Sequence, residues 1–282
     1  MAHIVRPWLV LGLALCSASS WAVAADGVLP PARRWIPEQA VAVLEVSQPR
    51  AVLDLVLGKK VADQVTAQPA YKALEQSAGF QRFVQVVGFL EGQLGTEWKP
   101  AVYKLLEGGV TGAVLPGGGI VLFIDSGDEE LLSRLHEIVL QGTRDEAEKN
   151  GQPDRVASKE VKGVTVWTFN GTEAHAIFGK RLVLASNART LEAVLEHREH
   201  PDRASIDASA RYQAAKKAAG QEAAATAYAD LKALKQIPRL SKALSQGENP
   251  MGELLFSGIR ETLKNSSWLA LALSIKGQSL AL

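Results

Sequence analysis

Along residues 50–107 apolar positions return every three or four residues, and the clearest run sets Phe80, Phe83, Val84, Val87, Leu90 and Leu94 on one side of a helix. Gly88 and Gly92 interrupt that run at about 1 kcal/mol each against alanine, so packing is expected to hold the stripe as an ordinary core face. Before it, residues 40–46 form a short apolar stretch with β-branched members, closed by Ser47-Gln48-Pro49, and predict a buried strand. Residues 110–115 and 120–124 predict two strands joined across Pro116-Gly117-Gly118-Gly119. Ser126-Gly127-Asp128-Glu129 has the form of a capping box with Ser126 as the cap, opening a helix that carries Leu131, Leu135 and Ile138.

After a polar stretch at residues 149–154 the period shortens from 3.6 to 2. Lys162-Gly163, Asn170-Gly171 and Gly179-Lys180 divide runs at 156–161, 164–169, 172–178 and 181–186, which predicts a four-stranded antiparallel meander. Asn-Gly favours the positive backbone angles of a tight type I′ turn, which makes the middle hairpin the firmest element. A helix with Leu191, Val194 and Leu195 follows. The last third repeats the opening more faintly. Residues 225–230 form a strand, Leu240, Leu244, Leu255, Ile259 and Leu263 mark helix, and Leu269, Leu271, Leu273 and Ile275 alternate as a strand. Lys276-Gly277 then turns into a strand beginning at Leu280. The expected class is α+β: a largely antiparallel sheet with helices packed on it, an internal duplication, and a second half that stops early.

The first residues change the picture of where such a domain works. Arg6, an apolar core at residues 8–15 and Ala22-Val23-Ala24 have the order of a cleavable export signal, with Ala25 as the mature start. Ser17, Ser19 and Ser20 break the segment before it reaches the ~20 apolar residues of a membrane span, so no stable transmembrane segment is expected after cleavage. Cys16, the single cysteine, follows Leu13-Ala14-Leu15, whose bulky final leucine does not suit lipid attachment. The expected organisation is a signal peptide at 1–24, a proline-rich tether at 25–38, a first α+β unit at 39–200 and an incomplete second unit at 201–282.

Loss of the leader removes the cysteine, and with it disulfides, thiol catalysis and thiolate metal sites. It also removes Arg6, taking 31 basic residues to 30 against 30 acidic ones. That near-neutral balance excludes nucleic acid as an expected main partner.

Candidate chemistry is sparse. Neither Gly58-Lys59-Lys60 nor Gly179-Lys180-Arg181 has the preceding glycine of a phosphate loop, and Gly117-Gly118-Gly119 leads into a strand with Leu122 in the last glycine place of the dinucleotide pattern. Ser126 lies between a strand and a helix, yet Ile124 and Asp128 stand where a nucleophile elbow needs glycine. His197 and His200, with Glu196 and Asp202 nearby, offer two metal ligands on one helical face, but Pro201 closes the helix and further ligands are not indicated. Asp125, Asp128, Glu129 and Glu130 form the densest acidic cluster, explained by its place at a helix start. His136 and His175 stand alone in sequence. No cofactor or metal is therefore expected, and the catalytic residues stay unknown.

The leader, Ile36-Pro37 before Val41-Ala42-Val43-Leu44, the helices running into Leu105-Leu106-Glu107-Gly108-Gly109, and Arg181-Leu182-Val183-Leu184-Ala185-Ser186 with its helix resemble a family of exported bacterial proteins known only as a domain of unknown function. That resemblance implies an exported α+β protein, in a family whose members are usually longer, and transfers no activity. The expected role is non-enzymatic binding or interaction, periplasmic, envelope-bound or secreted, toward an envelope protein or an apolar ligand. Two rivals remain. One is an envelope hydrolase assembled only in three dimensions, with Asp125, Asp128 and His175 as first suspects. The other is a lipid carrier using the stripe from Phe80 to Leu94.

Overall fold

The computed structural model describes residues 29–220, 222–236, 266–276 and 279–281. The expected export signal with Cys16, and the apolar positions from Leu240 to Leu263, lie outside the described residues.

Part of the stretch read as a tether reaches the core. Ala32–Trp35 forms a 3₁₀ turn, and Ala32, Trp35 and Ile36 are buried. Trp35 meets Phe123 and Phe178 edge to face at 6.2 and 5.1 Å. Strand β1 (Ala42–Val46) follows, then five helices: α1 (Pro49–Val56), α2 (Lys59–Thr66), α3 (Pro69–Glu75), α4 (Ala78–Leu94) and α5 (Trp98–Leu105). Proline at the first turn of α1 and α3 starts each helix where its missing N–H costs nothing. Helix α4 starts on Ser77, whose Oγ accepts from the Phe80 N–H, and ends on Gly95 at φ 67°.

Strands β2 (Gly109–Val114) and β3 (Ile120–Asp125) form the expected hairpin, and α6 (Glu129–Lys149) follows. Its cap is Asp128, not Ser126. Asp128 Oδ1 accepts from the Leu131 N–H at 3.0 Å, while Ser126 Oγ accepts from the Asp128 N–H and orders the approach. The meander is β4 (Val156–Val161), β5 (Val164–Phe169), β6 (Glu173–Phe178) and β7 (Arg181–Ala185). Asn170 and Gly171 both take positive φ, at 53° and 67°, as the type I′ turn requires. Helices α7 (Ala188–Glu199) and α8 (Ala210–Ala219), strand β8 (Ala225–Asp230), the short α9 (Leu231–Leu234), β9 (Trp268–Lys276) and β10 (Ser279–Ala281) complete the described chain.

These strands make one antiparallel sheet in the order β10-β9-β8-β1-β2-β3-β7-β6-β5-β4. About the β8–β1 contact the order is symmetric, with β1, β2 and β3 running outward on one side and β8, β9 and β10 on the other. One sheet thus runs through both expected units.

The two faces of the sheet differ. Val43, Ala113, Val121, Phe123, Val183 and Ala176 share one face by register and are buried. Trp35, α7 with Leu191, Val194 and Leu195, and α8 with Tyr212 supply the other side of that core. The opposite face is covered at the meander end by α6. Among the described residues, no helix is long and apolar enough to cross a membrane.

Candidate functional site: an uncovered apolar sheet face

Strand register assembles a row from residues far apart in sequence. Leu271 pairs with Ala227, Ala227 with Leu44, Leu44 with Gly112, Gly112 with Leu122, and Leu122 with Leu184. A second row beside it runs from Leu269 through Ala229, Ala42 and Val114 to Ile120. Successive strands lie about 4.8 Å apart, so the first row is about 24 Å long.

This face is apolar and, among the described residues, no element covers it. Leu44, Ile120 and Leu271 are 48%, 55% and 55% exposed although they stand on strands inside the sheet. Small residues form the floor, at Ala42, Gly112, Ala227 and Ala229, and leucines and Ile120 rise around them. The hollow between them holds about 440 Å³. A second hollow of about 370 Å³ shares Ile120 and continues past Leu122 and Leu184 to Phe169 and His175. Both fall within the usual span of about 300–1,000 Å³ for ligand sites.

Gly112 is informative. A Cβ built there would meet Leu122 Cδ1 at 3.8 Å and Val121 O at 3.9 Å, which is ordinary contact, and its φ lies outside the positive region. Nothing in backbone or packing demands glycine at the centre of a strand, where glycine costs stability. Glycine inside a strand is found at bulges, at tight bends and where a ligand or another backbone comes close, and the register through Gly112 is continuous, without a bulge.

A further apolar surface lies on the helices. Helix α4 buries none of its residues, and Phe83 and Phe89 are 62% and 58% exposed, with Val84 and Val86 beside them. Of the stripe read as a core face, Phe83 and Val84 are exposed while Phe80, Val87, Leu90 and Leu94 are half-buried, and among the described residues α4 leans chiefly on α3, α5 and α6.

No protein-family model and no curated protein matches the chain. Among solved structures, crystal form III of TP0453 is similar at TM-score 0.41 and 11% identity, covering 90% of this chain and 77% of that one. Crystal form I gives 0.41 and 10%, over 90% and 76%. Crystal form IV gives 0.34 and 10%, over 73% and 65%.

The suspected hydrolase residues do not converge. Asp125 lies on the covered face, where Arg181 grips it with Nε to Oδ1 at 2.5 Å and Nη2 to Oδ2 at 2.9 Å. His175 pairs in register with Leu184 and so points to the open face, across the sheet from Asp125. Asp128 is engaged as the α6 cap and by Lys104 Nζ at 3.0 Å. The Leu131 N–H and Lys104 hold its carboxyl below the usual range. Its three neighbours in the acidic cluster serve other ends: Asp125 the Arg181 pair, Glu129 and Glu130 the first turn of α6.

At the end of α7, Glu196 pairs with Lys162 and with Arg203, and His197 Nδ1 lies 3.2 Å from the Ala193 carbonyl. Among the described residues, no three of His, Cys, Asp and Glu gather as a metal site would need.

Two polar contacts escaped the sequence. Tyr212 donates its hydroxyl to Glu45 under α8, and burial together with that carboxylate pushes the phenol above its usual range. His136 on α6 and His175 on β6 meet at 2.9 Å, Nε2 to Nε2. Burial, then the neighbouring imidazole, pushes His175 down to about 4, and burial lowers His136.

Proposed function

We propose that this chain is a non-enzymatic exported protein of the bacterial envelope that takes up an apolar ligand on the open face of its sheet. One observation carries the reading: the uncovered row from Leu271 through Leu44 to Leu184, with its hollow of about 440 Å³. Uncovered apolar area on this scale costs about 25 cal/mol for every Å² left in water, which an apolar occupant recovers. The leader supports export, and the near-equal charge count supports an occupant held by apolar contact rather than by opposite charge.

The carrier reading is favoured over the hydrolase reading by geometry. Asp125 and His175 stand on opposite faces, so a ligand on the open face meets His175 without the carboxylate. The carrier surface is the sheet, where walls and floor surround a volume, in place of the expected stripe on α4.

Titration with an environment-sensitive polyene fatty acid tests the reading. Saturable binding is expected to weaken by about tenfold or more, equal to about 1.4 kcal/mol, when Leu44 and Leu271 are both changed to Gln. Thermal stability is expected to hold, because both side chains are already half in water. Unchanged affinity in that variant would remove the sheet face as the site.

A further inference from the structure

The His136–His175 contact belongs to the seam between α6 and the meander, and the binding surface does not require it. The two rings cross at 77° with centroids 5.0 Å apart. Trp167 stands edge-on to His136 at 6.0 Å, and Phe169 lies 4.9 Å from His175. The Arg144 guanidinium sits 5.0 Å over the Trp167 ring. Charged groups around the pair are Glu137 and Arg144 on α6 and Glu173 on β6, which lines the same hollow as His175. The pair is thus set among aromatic rings, where burial is what disfavours a cation: at His136, Glu137 favours added positive charge more than Arg144 opposes it.

A bond between two Nε2 atoms needs one proton between them, so one ring donates and the other accepts. We propose that this histidine pair is an acid-sensitive latch: proton uptake parts the two rings and loosens α6 from β5 and β6. A first added proton goes to the free Nδ1 of the donating ring and leaves a cation against Trp167 and Phe169. A second goes to the accepting Nε2, so that two N–H groups face each other and the bond is lost.

The sign follows from proton binding. His175 is held at about 4 against an ordinary 6.5, and His136 is lowered in the same direction. Between those values the loosened state binds more protons than the docked one. Docking is therefore complete above about pH 6.5 and weakens as pH falls toward 4. For His175 alone, the docked-to-loosened ratio falls about 30-fold by pH 5. Leu131, Leu132, Leu140 and Ala147 keep the helix on the body of the protein, so the loosening is local to its middle turns.

Amide exchange on the full chain from pH 7 to pH 5, corrected for intrinsic rate, tests the latch, with histidine ring resonances followed in parallel. Protection in the middle of α6 is expected to fall about 30-fold or more while amides of β3 and β7 keep theirs. In the His136→Leu/His175→Leu variant, which replaces both partners by apolar groups, that protection is expected to be independent of pH. His136→Gln, which keeps a neutral bonding partner and leaves one titrating ring, is expected to lose less protection than the wild type. Constant α6 protection in the wild type, an equal loss in β3 and β7, or an unchanged loss in either variant would overturn the proposal.

Discussion

Changing Asp125 to Ala is expected to cost about 3–5 kcal/mol of folding free energy, because it leaves the Arg181 cation buried without its carboxylate. The Arg181 side chain is 2% exposed and lies 4.7 Å over the Trp35 ring, while Asp125 is 26% exposed. Among the described residues, Arg181 Nη1 has no hydrogen-bond partner, and the two bonds that the guanidinium makes to a side chain both go to Asp125. The melting temperature is expected to fall by about 10 °C. Arg181→Met is expected to cost less, since Asp125 is close enough to water to be rehydrated and methionine can still cover Trp35. Denaturant titration of the two variants checks the order. Equal costs, or an Asp125→Ala cost below about 1 kcal/mol, would show that the pair is not the anchor beneath the covered face.

Gly112→Leu is expected to act in the opposite way: stability kept or raised, binding lost. The site accepts a Cβ at 3.8 Å from Leu122, and a leucine suits a strand interior better than glycine. Its side chain would stand in the middle of the hollow of about 440 Å³, between Leu44 and Leu122. Affinity for a long-chain fatty acid is expected to fall by about tenfold or more, or about 1.4 kcal/mol. A stable variant that binds as well as the wild type would place the ligand elsewhere.

Local chemistry made much of the fold legible. Asn170-Gly171 and Lys162-Gly163 specify their turns through positive φ, and the meander follows from them with little shift in bounds. Coverage was not legible. Alternation says that Val43 and Leu44 face opposite ways, but with both faces of β1 and β3 apolar it cannot say which one a helix lands on. The α4 stripe has the same defect: its period gives a helix, while its burial depends on what stands opposite. Pro30, Pro31 and Pro37 suggested a tether, yet the 3₁₀ turn at Ala32–Trp35 delivers Trp35 and Ile36 to the core.

The candidate site was hidden for a related reason. Leu271, Ala227, Leu44, Gly112, Leu122 and Leu184 meet through register across the sheet, and only Gly112 and Leu122 are neighbours within one hairpin. The one local signal was Gly112, a glycine inside an apolar run with no turn to make. His136 and His175 are 39 residues apart, and only the docking of α6 on β6 makes them partners.

Methyl-resolved NMR of the full chain titrated with oleate separates a ligand on the sheet from one on the helices. Saturable shifts are expected at Leu44, Ile120, Leu122 and Leu271, with Val43, Val121 and Val183 on the covered face undisturbed. Shifts confined to Val84 and Val86 on α4, or none up to the solubility limit of the fatty acid, would contradict the sheet face as the site.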